Sequence, residues 1–206
     1  MLKYTIQVPM EQVIEARREL KVLKKGIEML REQLAKLDEV DPIRDGIAAR
    51  DRAEEERQQI NADIEQSKAN AAESMRQRAL SFQADVNRLT AMKGEDLNTA
   101  DYALIRDKLI TDAAQLQMMA DRNQANYSLL VAIDHYATEN GWTGFATITN
   151  APTVQAFGKA WFGMCERAAN NPEGYAMFQI MTKGELRRLL NEYGVLDVAQ
   201  LPDDEA

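Results

Sequence analysis

The chain has 206 residues, 45% hydrophobic and 28% charged, with 25 Lys and Arg against 33 Asp and Glu for a formal charge of −8. No run approaches the roughly 20 consecutive apolar residues that span a bilayer. One cysteine, Cys165, and one histidine, His135, rule out an internal disulfide, a Cys/His zinc site and any catalytic scheme that needs two histidines.

The charge is unevenly placed. Up to Lys93 there are 17 basic and 17 acidic residues, and from Gly94 onward 8 basic and 16 acidic, so the whole excess sits in the second half. Broad binding to nucleic acid or to anionic lipid depends on surplus Lys and Arg, and this half disfavours both. Met1 to Met10 lack the basic start and apolar run of a secretory signal, so the cytoplasm is the expected compartment.

In chain order, Leu2, Tyr4, Ile6 and Val8 alternate with Lys3, Thr5 and Gln7 up to Pro9, the period of a half-buried strand. After Pro9 the period becomes that of a coiled coil. Val13, Leu20, Ile27 and Leu34 fall seven apart, and Ala16, Leu23, Leu30 and Leu37 each follow by three, filling the a and d positions of four heptads. The e positions Arg17, Lys24 and Arg31 are all basic, which disfavours an antiparallel self-pair and leaves a parallel pair or another helix as partner. Pro42 places the helix end near Asp41. A second helix is expected from Ile43 to Lys93, about 70 Å long, with a left-handed cap at Gly94. A third is expected from Asn98 or Thr99 to about Glu139, stopped by Asn140-Gly141.

The remainder holds seven of the ten glycines, both tryptophans and four of the five phenylalanines. Phe145 to Thr149 reads as a strand, Asn150 and Pro152 open a helix to about Ala169, Met177 to Met181 reads as another strand, and Thr182 to Glu185 is a capping box for a helix to Tyr193. The expected fold is therefore mainly α: a long antiparallel helical hairpin or coiled coil of three long helices, with a small α+β carboxyl-terminal region that the amino-terminal strand can join. The implied organisation is a strand at 1–9, an elongated helical region at 10–140, a compact aromatic-rich region at 141–200 and an acidic tail at 201–206.

No catalytic signature stands out. Asp134 and His135 are adjacent on a helix and do not face each other, so a structural histidine is expected. Cys165 reads as a buried, inert thiol. Asp101, Asp107, Asp112 and Asp121 read as a solvated helix face, because the Glu-x-x-His pairs of a carboxylate metal cage are missing. Gly141 and Gly144 lack the phosphate-loop pattern and read as turn residues.

No cofactor, metal or enzymatic activity is expected. The pattern predicts a structural or interaction protein that self-associates through Val13, Leu20, Leu23, Ile27, Leu30, Leu34 and Leu37 and holds a protein partner or larger assembly. Trp142, Phe145 and the basic cluster Lys183, Arg187 and Arg188 are candidate partner contacts. Neither nucleic acid nor membrane is an expected partner. The alternative is an acidic inhibitor, of the kind mobile elements encode, acting on a nucleic-acid-handling enzyme.

Overall fold

The computed structural model describes residues 1–40, 43 and 46–195. The helix stop at Asp41-Pro42 and the acidic tail lie outside the described residues. Two compact units are formed, one by Met1–Pro9 with Gln83–Ala156, the other by Met10–Phe82 with the chain from Phe157 onward. No helix among the described residues is long and apolar enough to cross a membrane.

In the first unit, β1 (Leu2–Tyr4) pairs in parallel with β2 (Thr147–Thr149), placing Leu2 opposite Thr147 and Tyr4 opposite Thr149. The amino-terminal strand thus joins the later segment as the alternation suggested. It is shorter than Leu2 to Val8 because a side chain replaces the partner strand: the Asn150 amide accepts from the Ile6 N–H at 2.8 Å and donates to the Ile6 carbonyl at 3.0 Å. Alternation continues, with Ile6 and Val8 buried. Asn150→Asp replaces the donor with an acceptor facing a carbonyl. It is expected to cost about 2 kcal/mol, close to Asn150→Ala, since either change leaves a buried backbone group unpaired. Equilibrium denaturation checks this; a variant as stable as the wild type would refute it.

The third long helix is instead three short ones preceded by a 3-10 turn at Gly94–Leu97. After two long helices, α1 (Met10–Leu37) and α2 (Ile47–Leu89), these are α3 (Ala100–Arg106), α4 (Ala113–Arg122) and α5 (Tyr127–Glu139). Each begins at a polar cap: Thr99, Asp112 and Asn126 accept from the backbone N–H of Tyr102, Gln115 and Leu129. The expected left-handed cap at Gly94 is likewise absent, because Gly94 opens the 3-10 turn. α5 is central to a core that includes Ile105, Leu116, Leu129, Ile133 and Phe145. Tyr136 donates from its hydroxyl to the Ile110 carbonyl at 2.9 Å, and buried Ser128 accepts the Lys93 N–H at 2.8 Å.

In the second unit, α1 (Met10–Leu37) and α2 (Ile47–Leu89, shared with the first unit) lie antiparallel. Their hydrogen bonds run in opposite directions along the two helices: Gln12 with Ser81, Glu19 with Ser74 and Arg78, and Leu37 with Arg57. The antiparallel pairing of the first two long helices, expected from the short connector between them, is present. α6 (Ala151–Asn170, also shared) sets Phe157 and Phe162 around Phe82 and pairs Glu166 with Arg76 at 2.7 Å. The expected strand at Met177–Met181 is helical, α7 (Tyr175–Ile180). Met177 and Ile180, three apart, are buried while Phe178 between them is exposed, which is a helical and not an alternating pattern. Among the described residues the sheet therefore has two strands. α8 (Lys183–Glu192) starts at Thr182, whose hydroxyl accepts the Glu185 N–H at 3.2 Å. Only that half of the capping box forms, since the Glu185 carboxylate accepts from Arg188 instead.

Candidate interaction surfaces

The heptad seam of α1 is covered within the chain over only part of its length. Val13, Ala16, Leu20, Leu23 and Ile27 are buried, whereas Leu30, Leu34 and Leu37 are half-buried. The two helices carry different repeats. On α2 the buried residues Ala53, Ile60, Ile64, Ala71, Met75 and Phe82 fall in steps of seven and four, an eleven-residue period, with Ala72 buried beside Ala71. A seven-residue period asks a helix to wrap left-handed and an eleven-residue period asks for a slight right-handed wrap, so the two repeats do not match turn for turn. Beside Leu23 and Ile27 the pair leaves a groove of about 320 Å³, walled by Val22, Gly26 and Leu30 of α1 and by Ser67, Asn70 and Ala71 of α2. Val22 and Met29 stand out on this stretch at 70% and 63% exposure.

The basic e positions have a use that charge counting alone did not show. Arg17 is buried, and its Nε donates to the Met181 carbonyl at 2.7 Å; Lys24 lies 5.4 Å from the centre of the Phe178 ring; Arg31 forms an ion pair with Glu173. Residues 173–181 therefore run antiparallel to α1 along a row of cations spaced one heptad apart. The signal was present in the sequence: three bases at a seven-residue interval with no acids at the neighbouring g positions except Glu19, which is itself taken by Arg78 at 3.0 Å. Near the end of α1, Arg57 donates to the Leu37 carbonyl at 3.0 Å and so caps that helix from α2.

The candidate partner contacts fall in both units. Phe145 is buried in the core of the first and is no surface contact, and half-buried Trp142 packs edge-on against Tyr136 with centroids 5.9 Å apart. Both are held by the turn at Gly141 and Gly144, whose φ values of 71° and 94° suit glycine. In the second unit Arg187 is exposed, Lys183 is half-buried, and Arg188 pairs with both Glu185 and Glu192 at 2.7 Å. The Arg188 hydrogen bond holds the Glu185 carboxyl below its usual range.

The acidic residues read as one solvated face belong to two separate helices and their caps, α3 and α4, and have local partners. Asp101 accepts from Arg122 and Asn123, which hold its carboxyl below the usual range; Asp107 pairs with Arg106, Asp112 caps α4, and Asp121 accepts from Gln117. Among the described residues no three His, Cys, Asp or Glu side chains gather as a metal site would require. His135 is exposed with Glu139 at 3.3 Å, and Cys165 is fully buried, its thiol pushed up by desolvation. The first unit also has a largely apolar pocket of about 520 Å³ between α3 and α5, with Ile105, Val131 and Ala132 among its walls. No protein-family model matches the chain, and neither a curated protein nor a solved structure resembles it significantly.

Proposed function

We propose that this is a structural or interaction protein, not an enzyme, that self-associates through the incompletely covered end of the α1 and α2 hairpin and thereby holds a protein partner in a larger assembly. The observation that carries this reading is the half-buried state of Leu30, Leu34 and Leu37, which continue a seam already closed from Val13 to Ile27. A second copy brings the same heptads to that seam, and exposed Val22 and Met29 widen the apolar strip it would cover.

The test uses positions whose change leaves the hairpin's own core intact. Leu23 is buried within the chain, so a polar residue there would disturb the hairpin itself; Met29 is exposed and Leu34 only half-buried, so Met29→Glu and Leu34→Glu spare the residues already covered. Light scattering is expected to give a defined multimer for the wild type at low and high salt. Met29→Glu with Leu34→Glu is expected to give a single chain with unchanged helical circular dichroism. A wild type of single-chain mass over the micromolar range, or a multimer that survives both substitutions, would reject the proposal.

A further inference from the structure

Three helices end in the same way. A residue in the left-handed region is followed by an N–H that reaches back five residues: Trp142 to the Ala137 carbonyl at 2.9 Å, Val195 to Leu190 at 2.7 Å, and Leu109 to Leu104 at 2.9 Å. Two of the closures use glycine, Gly141 and Gly194, which enter that region without steric cost. The third uses Lys108 at φ 54°, and among the described residues it is the sole non-glycine with positive φ. A lysine held where glycine is preferred needs a reason beyond the turn, because a β-carbon there strains the backbone.

Its surroundings supply one. Lys108 stands at the apolar pocket of about 520 Å³ in the first unit, within the 300 to 1,000 Å³ range of small-molecule sites. Ile105, Val131, Ala132 and Leu97 give that pocket its hydrocarbon lining. Two further basic side chains border it: Arg106 makes hydrogen bonds of 2.8 and 3.0 Å to the Asp107 carboxylate, and His135 lies 3.3 Å from the Glu139 carboxylate, which lines the pocket too. Lys108 pairs with no carboxylate among the described residues. The pocket thus combines an apolar interior with an ammonium at its edge that pairs with no carboxylate among the described residues, while Glu139 stands beside His135 on the same rim.

We infer that this pocket binds a small amphipathic anion, a molecule with a hydrocarbon body and a single carboxylate head, the body seated between α3 and α5 and the head paired with Lys108. The left-handed turn sets the Lys108 Cα at the pocket edge, where a flexible ammonium can meet the head while the body is dehydrated. The inference is independent of self-association, since the pocket belongs entirely to the first unit.

Decanoate and decanol, titrated calorimetrically into the full chain, separate the apolar from the ionic contribution. Decanoate is expected to bind one to one and saturably, and decanol at least tenfold more weakly. Lys108→Gly is expected to weaken decanoate at least tenfold while raising the thermal midpoint of the free protein, because the turn is relieved as the charge is lost. A merely destabilised variant would lose binding and midpoint together. Ala132→Phe, which fills the pocket, is expected to abolish binding. Equal affinity for decanoate and decanol would overturn the inference in favour of a plain apolar anchor site, such as one for a partner's leucine. It would also be overturned by no decanoate binding below about 1 mM, or by undiminished binding to Lys108→Gly.

Discussion

Gly158→Ala is expected to destabilise the second unit by about 2 kcal/mol, against the direction that helix propensity alone predicts. Gly158 lies inside α6, where alanine normally gains about 1 kcal/mol over glycine. Here a β-carbon would stand 2.5 Å from Cδ1 of Phe82 and closer still to Cε1, so the ring must move or the helix must shift. The ring has little room to move. Phe82 is 2% exposed and is packed against Phe157 and Phe162, with centroids 6.4 and 5.5 Å away. Overfilling a packed core costs about 1 to 3 kcal/mol, which exceeds the propensity gain. Phe82→Ala alone is expected to cost about 4 kcal/mol through the lost burial and the cavity. In that background Gly158→Ala should reverse sign and stabilise, because the obstacle is gone and the new methyl fills part of the hole. Urea unfolding of the two single variants and the double variant measures the coupling; additive effects would show that Phe82 is not what Gly158 accommodates.

The contact between Phe82 and Gly158 also shows where sequence reading stops. Phe82 is the one aromatic between Met10 and Asp101, and its three-and-four spacing with Met75 and Val86 marks it as a core residue. Nothing local says that the opposing helix supplies a glycine, 76 positions later, to receive it. The α1 and α2 hairpin was legible because periodicity is repeated over many turns and a short connector makes successive helices neighbours. The mismatch between the seven-residue repeat of α1 and the seven-and-four repeat of α2 is also written in the chain, but each must be compared with the other.

Residues 99–139 misled for a definite reason. Tyr102, Ile105, Leu109, Leu116, Leu130 and Ile133 keep near-helical spacing across two breaks, and the residues that make the breaks, Asp112 and Asn126, pass for ordinary polar surface until their side chains are seen accepting backbone N–H groups. Met177–Met181 is too short for periodicity to separate helix from strand, and its fate is set by packing in the second unit. Of the surface sites, the apolar strip of α1 was visible from its heptads. The pocket was not, because its walls come from α3 and α5, which the sequence presented as one continuous helix, and because the unusual backbone of Lys108 leaves no mark on composition.

The two adjacent arginines of α1 should behave oppositely. Arg17→Ala is expected to cost about 3 kcal/mol, and Arg18→Ala less than about 0.5 kcal/mol. Arg18 is exposed and pairs with Glu15 one turn away at 2.8 Å, in water that screens the attraction. Arg17 is 5% exposed, and its Nε donates at 2.7 Å to the Met181 carbonyl, which ends α7. Its removal withdraws a charged donor from that carbonyl, and it also strips the packing of a long aliphatic stem in the core of the hairpin. Arg17→Lys keeps the charge and loses the planar guanidinium, so an intermediate loss is expected. The damage should be local at first: amides of Tyr175–Ile180 should exchange faster with solvent in Arg17→Ala, while those of α5, in the first unit, stay protected. Hydrogen exchange by mass spectrometry, beside chemical denaturation, reads both effects. Equal costs for Arg17→Ala and Arg18→Ala would mean that the row of cations on α1 does not anchor the carboxyl-terminal helices. The ordering Ala below Lys below wild type, with exchange confined to α7 and α8, would mean that it does, and that the basic e positions, which disfavour an antiparallel self-pair, are kept for a contact within the chain.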